Sequence, residues 1–303
     1  MTAPMEALPE PPATSARPSL VRRIARYPLV QAVTGVLMIV LAIAVASAAS
    51  EALGVADGAY GLAGAILVAI AVVAAWKLYK RWIEREPDRE FALKAAPELA
   101  AGLAAGCALF CLVTGVVWLL GGIRFEGARS FADTQFAQWA AIAVISGFFE
   151  ETLFRGLLFR AIEKVSGSWI ALAVTSAFFG LSHIFNPDAT WFAALAIAVE
   201  AGILLGAAYM LTRRLWLAVG LHAAWNFTQG WLFSVPVSGG GSPVGLIRTV
   251  REGPEWLTGG DFGLEASVVA MVVVTAAGLG LLWWAHRRGR FAAPPWRRAH
   301  TKL

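Results

Sequence analysis

Apolar residues along this chain gather into eight long runs, at about 28–49, 60–78, 98–121, 134–157, 169–186, 190–212, 214–235 and 263–285, and charged residues collect in the short segments between them. A helix needs ~20 residues to cross ~30 Å of hydrocarbon at ~1.5 Å per residue, which is close to the length of each run. The pattern predicts an all-α fold, a polytopic membrane helical bundle with about eight transmembrane helices. The first run is too long for a signal-peptide core and lacks a small-residue cleavage site, so it is expected to remain as a span. Residues 1–19 are rich in Pro and Ala and are expected to be disordered. The division expected is a disordered cytoplasmic N-terminal tail (1–27), a transmembrane bundle (28–285) and a basic cytoplasmic tail (286–303). A Gly- and Pro-rich connection, 236–262, is long enough to fold over one mouth of the bundle.

Composition agrees with a lipid solvent. Hydrophobic residues make up 58% of 303 positions and charged residues 15%, and mean hydropathy is +0.65, well above the apolar share of a soluble domain. The net charge of +5 does not indicate nucleic acid, because the basic residues alternate with the spans. Arg22, Arg23 and Arg26, then Lys77 to Arg89, Arg155 to Lys164, Arg213–Arg214 and Arg287 to Arg290 all mark every second connection. The positive-inside rule then puts both termini in the cytoplasm. Cys107 and Cys111 lie one turn apart in the third run and are expected to pack as small apolar residues.

Against this background the polar residues inside apolar runs are conspicuous, since ionisable groups in lipid are costly. Residues four apart share a helix face, and three such pairs occur: Glu151 with Arg155, Phe179 with His183, and His222 with Asn226. Glu150 is rotated ~100° from Glu151, so one carboxylate has an ion-pair partner and the other is free to face a cavity. The turn at Ser166–Gly167 lies midway between Glu150 and His183, each ~24 Å of helix from the tip, so the two can face each other. If Arg160, Glu163 and Lys164 reach water, Glu150 sits ~10 Å below the cytoplasmic surface; His222 and Asn226 lie ~12 and ~18 Å beyond Arg213–Arg214. A shallow, cytoplasm-facing pocket is expected. A partly desolvated carboxylate can take a proton from water, an imidazole can orient that water, and an imidazole and a carboxamide on one face can donate to an oxyanion. That set suits amide hydrolysis with water as the nucleophile.

The strings Glu150-Glu151-Thr-Leu-Phe-Arg155, Phe179-Gly-Leu-Ser-His183 and His222-Ala-Ala-Trp-Asn226 resemble the EExxxR, FxxxH and HxxxN motifs of the CAAX prenyl protease 2 / bacteriocin-processing (CPBP) family of intramembrane proteases. The resemblance covers roughly 130–235, which becomes the expected catalytic core. It implies that Glu150 activates water with His183, that His222 and Asn226 form the oxyanion site, and that Glu151 and Arg155, with Phe179 as a packing residue, hold the site in shape. The expected activity is a CAAX-type intramembrane glutamate or metallo-endopeptidase. Its substrate would be a membrane-associated peptide, prenylated or bacteriocin-like. No obligatory cofactor is expected; H-E-x-x-H is missing, although Glu150, His183 and His222 from separate helices could still supply three ligands to a divalent metal such as zinc.

Duller readings stand beside these. Glu151 with Arg155 reads as a structural ion pair, either histidine alone is equally well explained by a bond to a backbone carbonyl, and Gly202-x-x-x-Gly206 reads as a close helix contact. Glu200, mid-run and outside the three motifs, is a candidate for lining the same cavity. The rival functions are a proton- or solute-coupled transporter and a catalytically silent scaffold. Transporters favour Gly- or Pro-broken helices in paired repeats, and runs four to seven contain no internal proline. The expected partners are a membrane-anchored substrate and the lipid bilayer, with no nucleic acid, and the expected location is a bacterial inner membrane.

Overall fold

The computed structural model describes residues 19–55, 61–241 and 243–298. Its long helices follow the apolar runs: α1 (Pro28–Ala52), α2 (Leu62–Glu84), α3 (Pro97–Leu119), α4 (136–166), α5 (Ser168–Phe185), α6 (Trp191–Thr212), α7 (216–232) and α8 (Val268–Arg287). Six of them, α1, α2, α3, α5, α6 and α8, are long and apolar enough to cross a membrane. The sequence pattern predicts α4 and α7 as spans too, yet both fall short of that measure. Glu150, Glu151, Arg155, Arg160, Glu163 and Lys164 interrupt the apolar run of α4, and α7 has only 12 α-helical and 5 π-helical residues. The two rods richest in candidate chemistry are therefore the least lipid-like.

Local chemistry sets the ends. Pro28 and Pro97 stand in the first turns of α1 and α3, where a missing N–H is harmless. Gly167, at φ 82°, makes the predicted turn between α4 and α5, because a Cβ would be strained there. The last predicted run, 263–285, starts late: Leu264–Ala266 form a 3-10 turn, and the Ser267 hydroxyl accepts from the Ala270 N–H to cap α8. Within the expected N-terminal tail, Leu20–Ala25 form a short helix, and the expected disorder over 1–18 falls outside the described residues. Pro295–Arg298 are helical in the basic tail.

One end of the bundle is basic and ion-paired. Glu84 receives Lys80 at 2.5 Å, Arg160 at 2.7 Å and Lys164 at 3.2 Å; Arg160 also reaches Glu90 at 3.1 Å, and Arg213 reaches Glu163 at 2.5 Å. The other end is closed by loops. The 122–133 and 236–262 connections meet as an antiparallel pair, β1 (Ile123–Ala128) with β2 (Ile247–Arg251). Its register runs Ile123 opposite Arg251 to Ala128 opposite Ile247, with an irregularity between Phe125 and Ala128. The 236–262 connection thus covers the mouth by pairing with its neighbour.

Small residues let the helices that carry the site approach closely. A Cβ on Gly106 of α3 would lie 2.5 Å from the Leu221 carbonyl of α7. Gly102 and Gly220 meet the facing backbone in the same way. Gly202 and Gly206 of α6 lie against Ser176 and Leu172 of α5, the close contact predicted for that pair. Leu37, Leu41 and Val45 of α1 are exposed, as a lipid-facing stripe should be. Both cysteines are free.

Candidate active site

The chemistry begins with an irregularity in α4. Ser146–Glu150 and Thr152–Phe159 are wound as π-helix on either side of Glu151. The same i→i+5 winding recurs at Ala198–Gly202 in α6 and Thr228–Leu232 in α7; such turns concentrate at functional sites. In α6 the wide turn leaves the Ala201 and Gly202 carbonyls available to Arg155, whose Nη2 donates to them at 3.3 and 3.4 Å.

Arg155 and Glu151 are fully enclosed, at 1% and 0% exposure. Arg155 Nη1 donates to Glu151 Oε1 at 2.8 Å, and the guanidinium lies 4.6 Å over the Phe179 ring, a cation–π contact. Phe179 in turn packs on His183 at 4.9 Å and edge-on to His222 at 5.9 Å.

The same Glu151 Oε1 lies 2.8 Å from His222 Nδ1, so an Arg–carboxylate–imidazole chain links α4 to α7. A carboxylate on Nδ1 orients the ring and favours its imidazolium form. His222 Nε2 then points to Glu150 Oε2, 4.0 Å away. Glu150 keeps 26% of its side chain exposed, so of the two adjacent acids one is locked and the other is open. His183 Nδ1 lies 2.7 Å from the Phe179 carbonyl, the bond expected of a structural histidine; it fixes the tautomer and leaves Nε2 unengaged. Asn226 Nδ2 donates to Ser146 Oγ at 2.9 Å, which orients the amide and leaves its second N–H free.

His183, His222 and Asn226, but not Glu150, line a cavity of about 40 Å³, walled by Leu109, Ile197, Leu204, Leu205 and Val274. Glu200 lines it too, as the sequence suggests. Two further polar lining residues escaped the sequence reading, Ser238 and Glu265. Glu265 is 3% exposed and accepts from the Ser238 hydroxyl. Burial pushes its carboxyl up to about 7, against the pull of hydrogen bonds from Ser238, Gln229 and Trp225. An acid just ahead of an apolar run was the signal available for it.

Of the charged residues near the tip of α4, Lys164 is exposed and two are satisfied inside the protein. Arg160 and Glu163 are buried because each has an ion partner, Glu84 or Arg213, distant in sequence. Neither has to reach water. The cavity is bounded by Ser238 and Glu265, which belong to the loop end, opposite the basic tip at Gly167. Asn186 of the turn after His183 donates to the Ser238 carbonyl at 3.0 Å, tying the motif histidine to that end.

Among the described residues no three His, Cys, Asp or Glu side chains are placed to hold one ion together. Of the expected set Glu150, His183 and His222, the two histidines engage Nδ1 with the Phe179 carbonyl and Glu151, which leaves Nε2 as the ring nitrogen available to a ligand.

Residues 132–228 match the family model described as type II CAAX prenyl endopeptidase Rce1-like. No curated protein and no solved structure matches the chain. The matched stretch runs from before Glu150 to beyond Asn226 and so contains all three motifs. Residues 132–228, which join Glu151, Arg155 and His222 in one buried chain inside a bundle with six helices of membrane length, thus form a domain similar to the type II CAAX prenyl endopeptidases of the Rce1-like family.

Proposed function

We propose that the cavity hydrolyses a peptide bond of a membrane-associated substrate, with Glu150 as the general base acting on water. The observation that carries this reading is the open Glu150 carboxylate facing His222 Nε2 at 4.0 Å, while Glu151 and Arg155 hold the other side of that ring. That separation is too long for a direct hydrogen bond and suits a water between the two groups. Glu150 takes a proton as the water oxygen attacks the carbonyl carbon. His222 as imidazolium donates from Nε2, and Asn226 from its free N–H, to the oxyanion that forms. When the C–N bond breaks, the proton on Glu150 passes to the leaving nitrogen, giving a carboxylate and an amine. His183 Nε2 lines the same cavity and orients the water or the leaving group.

The substrate on this reading is a prenylated or bacteriocin-like peptide anchored in the bilayer. The membrane is a bacterial plasma membrane with both termini in the cytoplasm. The test is incubation of purified protein with membrane-anchored peptides. Cleavage by the wild type that disappears in Glu150→Ala supports the reading; equal cleavage by both would end it.

A further inference from the structure

The cavity has a second polar end that the proposed chemistry does not use. Glu200, from the π-helical turn of α6, and Glu265, from the 3-10 turn before α8, both line it. They are 2% and 3% exposed. Glu200 Oε2 and the neighbouring Gln229 Oε1 are buried acceptors with no hydrogen-bond donor; of the Glu265 oxygens Oε1 accepts from Ser238, and Oε2 has only the nearby Gln229 and Trp225 side chains, neither in good hydrogen-bond geometry. Buried acceptors normally find partners, and no Lys or Arg lines this cavity among the described residues. Among the described residues the side-chain donors lining it besides Ser238 and Trp225 are His183, His222 and Asn226, which are committed to the hydrolytic end. Two acids closed in together resist double ionisation, and a cation relieves that repulsion while satisfying the orphan oxygens.

We propose that Glu200 and Glu265 form an acidic subsite that receives a positively charged group of the bound peptide, either a Lys or Arg side chain or the ammonium of the amino terminus freed by cleavage. This rests on the cavity being the peptide site. Apolar walls on either side, Leu109, Leu204, Leu205 and Val274, hold the neighbouring aliphatic carbons, and the volume of about 40 Å³ is that of a charged head group rather than of a whole peptide.

The test separates this subsite from the hydrolytic reading by measuring binding in the full-length Glu150→Gln protein. The probes are the tripeptide norleucine-Leu-Leu, its N-acetyl form, and N-acetyl forms with Lys replacing each residue in turn. Titration is followed by tryptophan fluorescence, Trp225 being a lining residue. A charged hydrogen bond predicts that the free-amine or a Lys-bearing peptide binds ~10–100-fold tighter than its neutral counterpart. Adding Glu200→Gln or Glu265→Gln should shrink that ratio to within ~2-fold, and either variant suffices if the other fails to fold. Preference for the free amine identifies the new terminus as occupant, and preference for one Lys position identifies a side chain. Equal affinity for cationic and neutral peptides, a preference that survives both variants, or no binding of any tripeptide overturns the subsite. Loss of wild-type turnover in Glu150→Gln is scored separately, with membrane-anchored substrates, and judges only the hydrolytic reading.

Discussion

Replacing Arg155 with Met leaves Glu151 as a fully enclosed carboxylate whose Oε1 keeps only His222 and whose Oε2 has no partner at all. Removing one member of a buried ion pair typically costs about 3–5 kcal/mol, because the remaining charge stays desolvated. Here the loss should reach the upper half of that range, about 4–5 kcal/mol, since Arg155 also satisfies two carbonyls of α6 and stacks on Phe179. That is about a thousandfold in the folding equilibrium. Replacing both partners, as in Glu151→Leu/Arg155→Met, removes the stranded charge and should recover most of the stability, as buried pairs exchanged for apolar groups often do. Activity should not return, because His222 would have lost the carboxylate on Nδ1 that keeps Nε2 a donor. The assay is a double-mutant cycle: unfolding midpoints in detergent for wild type, both single variants and the double, alongside cleavage of a membrane-anchored peptide. A single variant that loses less than about 1 kcal/mol, the level of a surface pair, or a double variant no more stable than Arg155→Met, would refute the reasoning. A double variant that regains turnover would show that Glu151 does not act through His222.

Glu150→Gln should lower turnover by about 10²–10⁴-fold, the usual contribution of a general base, with little change in unfolding midpoint because its carboxylate is partly open and has no ion partner closer than 4.0 Å; single-turnover kinetics and a melt on the same sample check both. Asn226→Ala should cost about 10²–10³ in kcat with KM nearly unchanged, as for an oxyanion donor, whereas Ser146→Ala should give a milder loss by freeing the amide to rotate. Glu265 makes stability pH-dependent. Its folded-state value near 7 lies above the ordinary 4.5, so its contribution is complete below about pH 4.5 and is lost as pH rises through 7, by up to about 3 kcal/mol. Glu200, Ser238, Gln229, Trp225, His183 and His222 are the polar groups sharing that surrounding, and Glu265→Gln should flatten the fall in unfolding midpoint between about pH 5 and 8 relative to wild type; a parallel fall in both proteins would assign it elsewhere.

What could be read from the chain was what is local. The Glu151–Arg155 pair, the turn at Gly167 and the shared face of His222 and Asn226 each depend on residues a few positions apart, and each is present. The π-helical winding around Glu151 and in α6 left no mark in a 3.6-residue pattern, because it is stabilised by partners such as the Arg155 donor to Ala201 and Gly202. The ion partners of Arg160 and Glu163 are hidden for the same reason. Glu84 and Arg213 lie 76 and 50 residues from Arg160 and Glu163, so their neutralising role was invisible, and charges that look solvent-bound are internal. Glu265 stands at the very start of the run predicted over 263–285, where an acid reads as an ordinary helix end, whereas Glu200, a carboxylate in the middle of an apolar run, has no ordinary explanation.

α3 donates no reactive group, yet Gly102 and Gly106 set it directly on the backbone of the helix that bears His222 and Asn226. It behaves as a bearing surface against which the hydrolytic donors are gauged. Any attempt to widen the chamber for bulkier cargo must therefore carve Leu109, Leu204, Leu205 or Val274. A single methyl added at Gly106 would push the reacting atoms out of register, and a shift of about 1 Å is enough to forfeit about a hundredfold in rate.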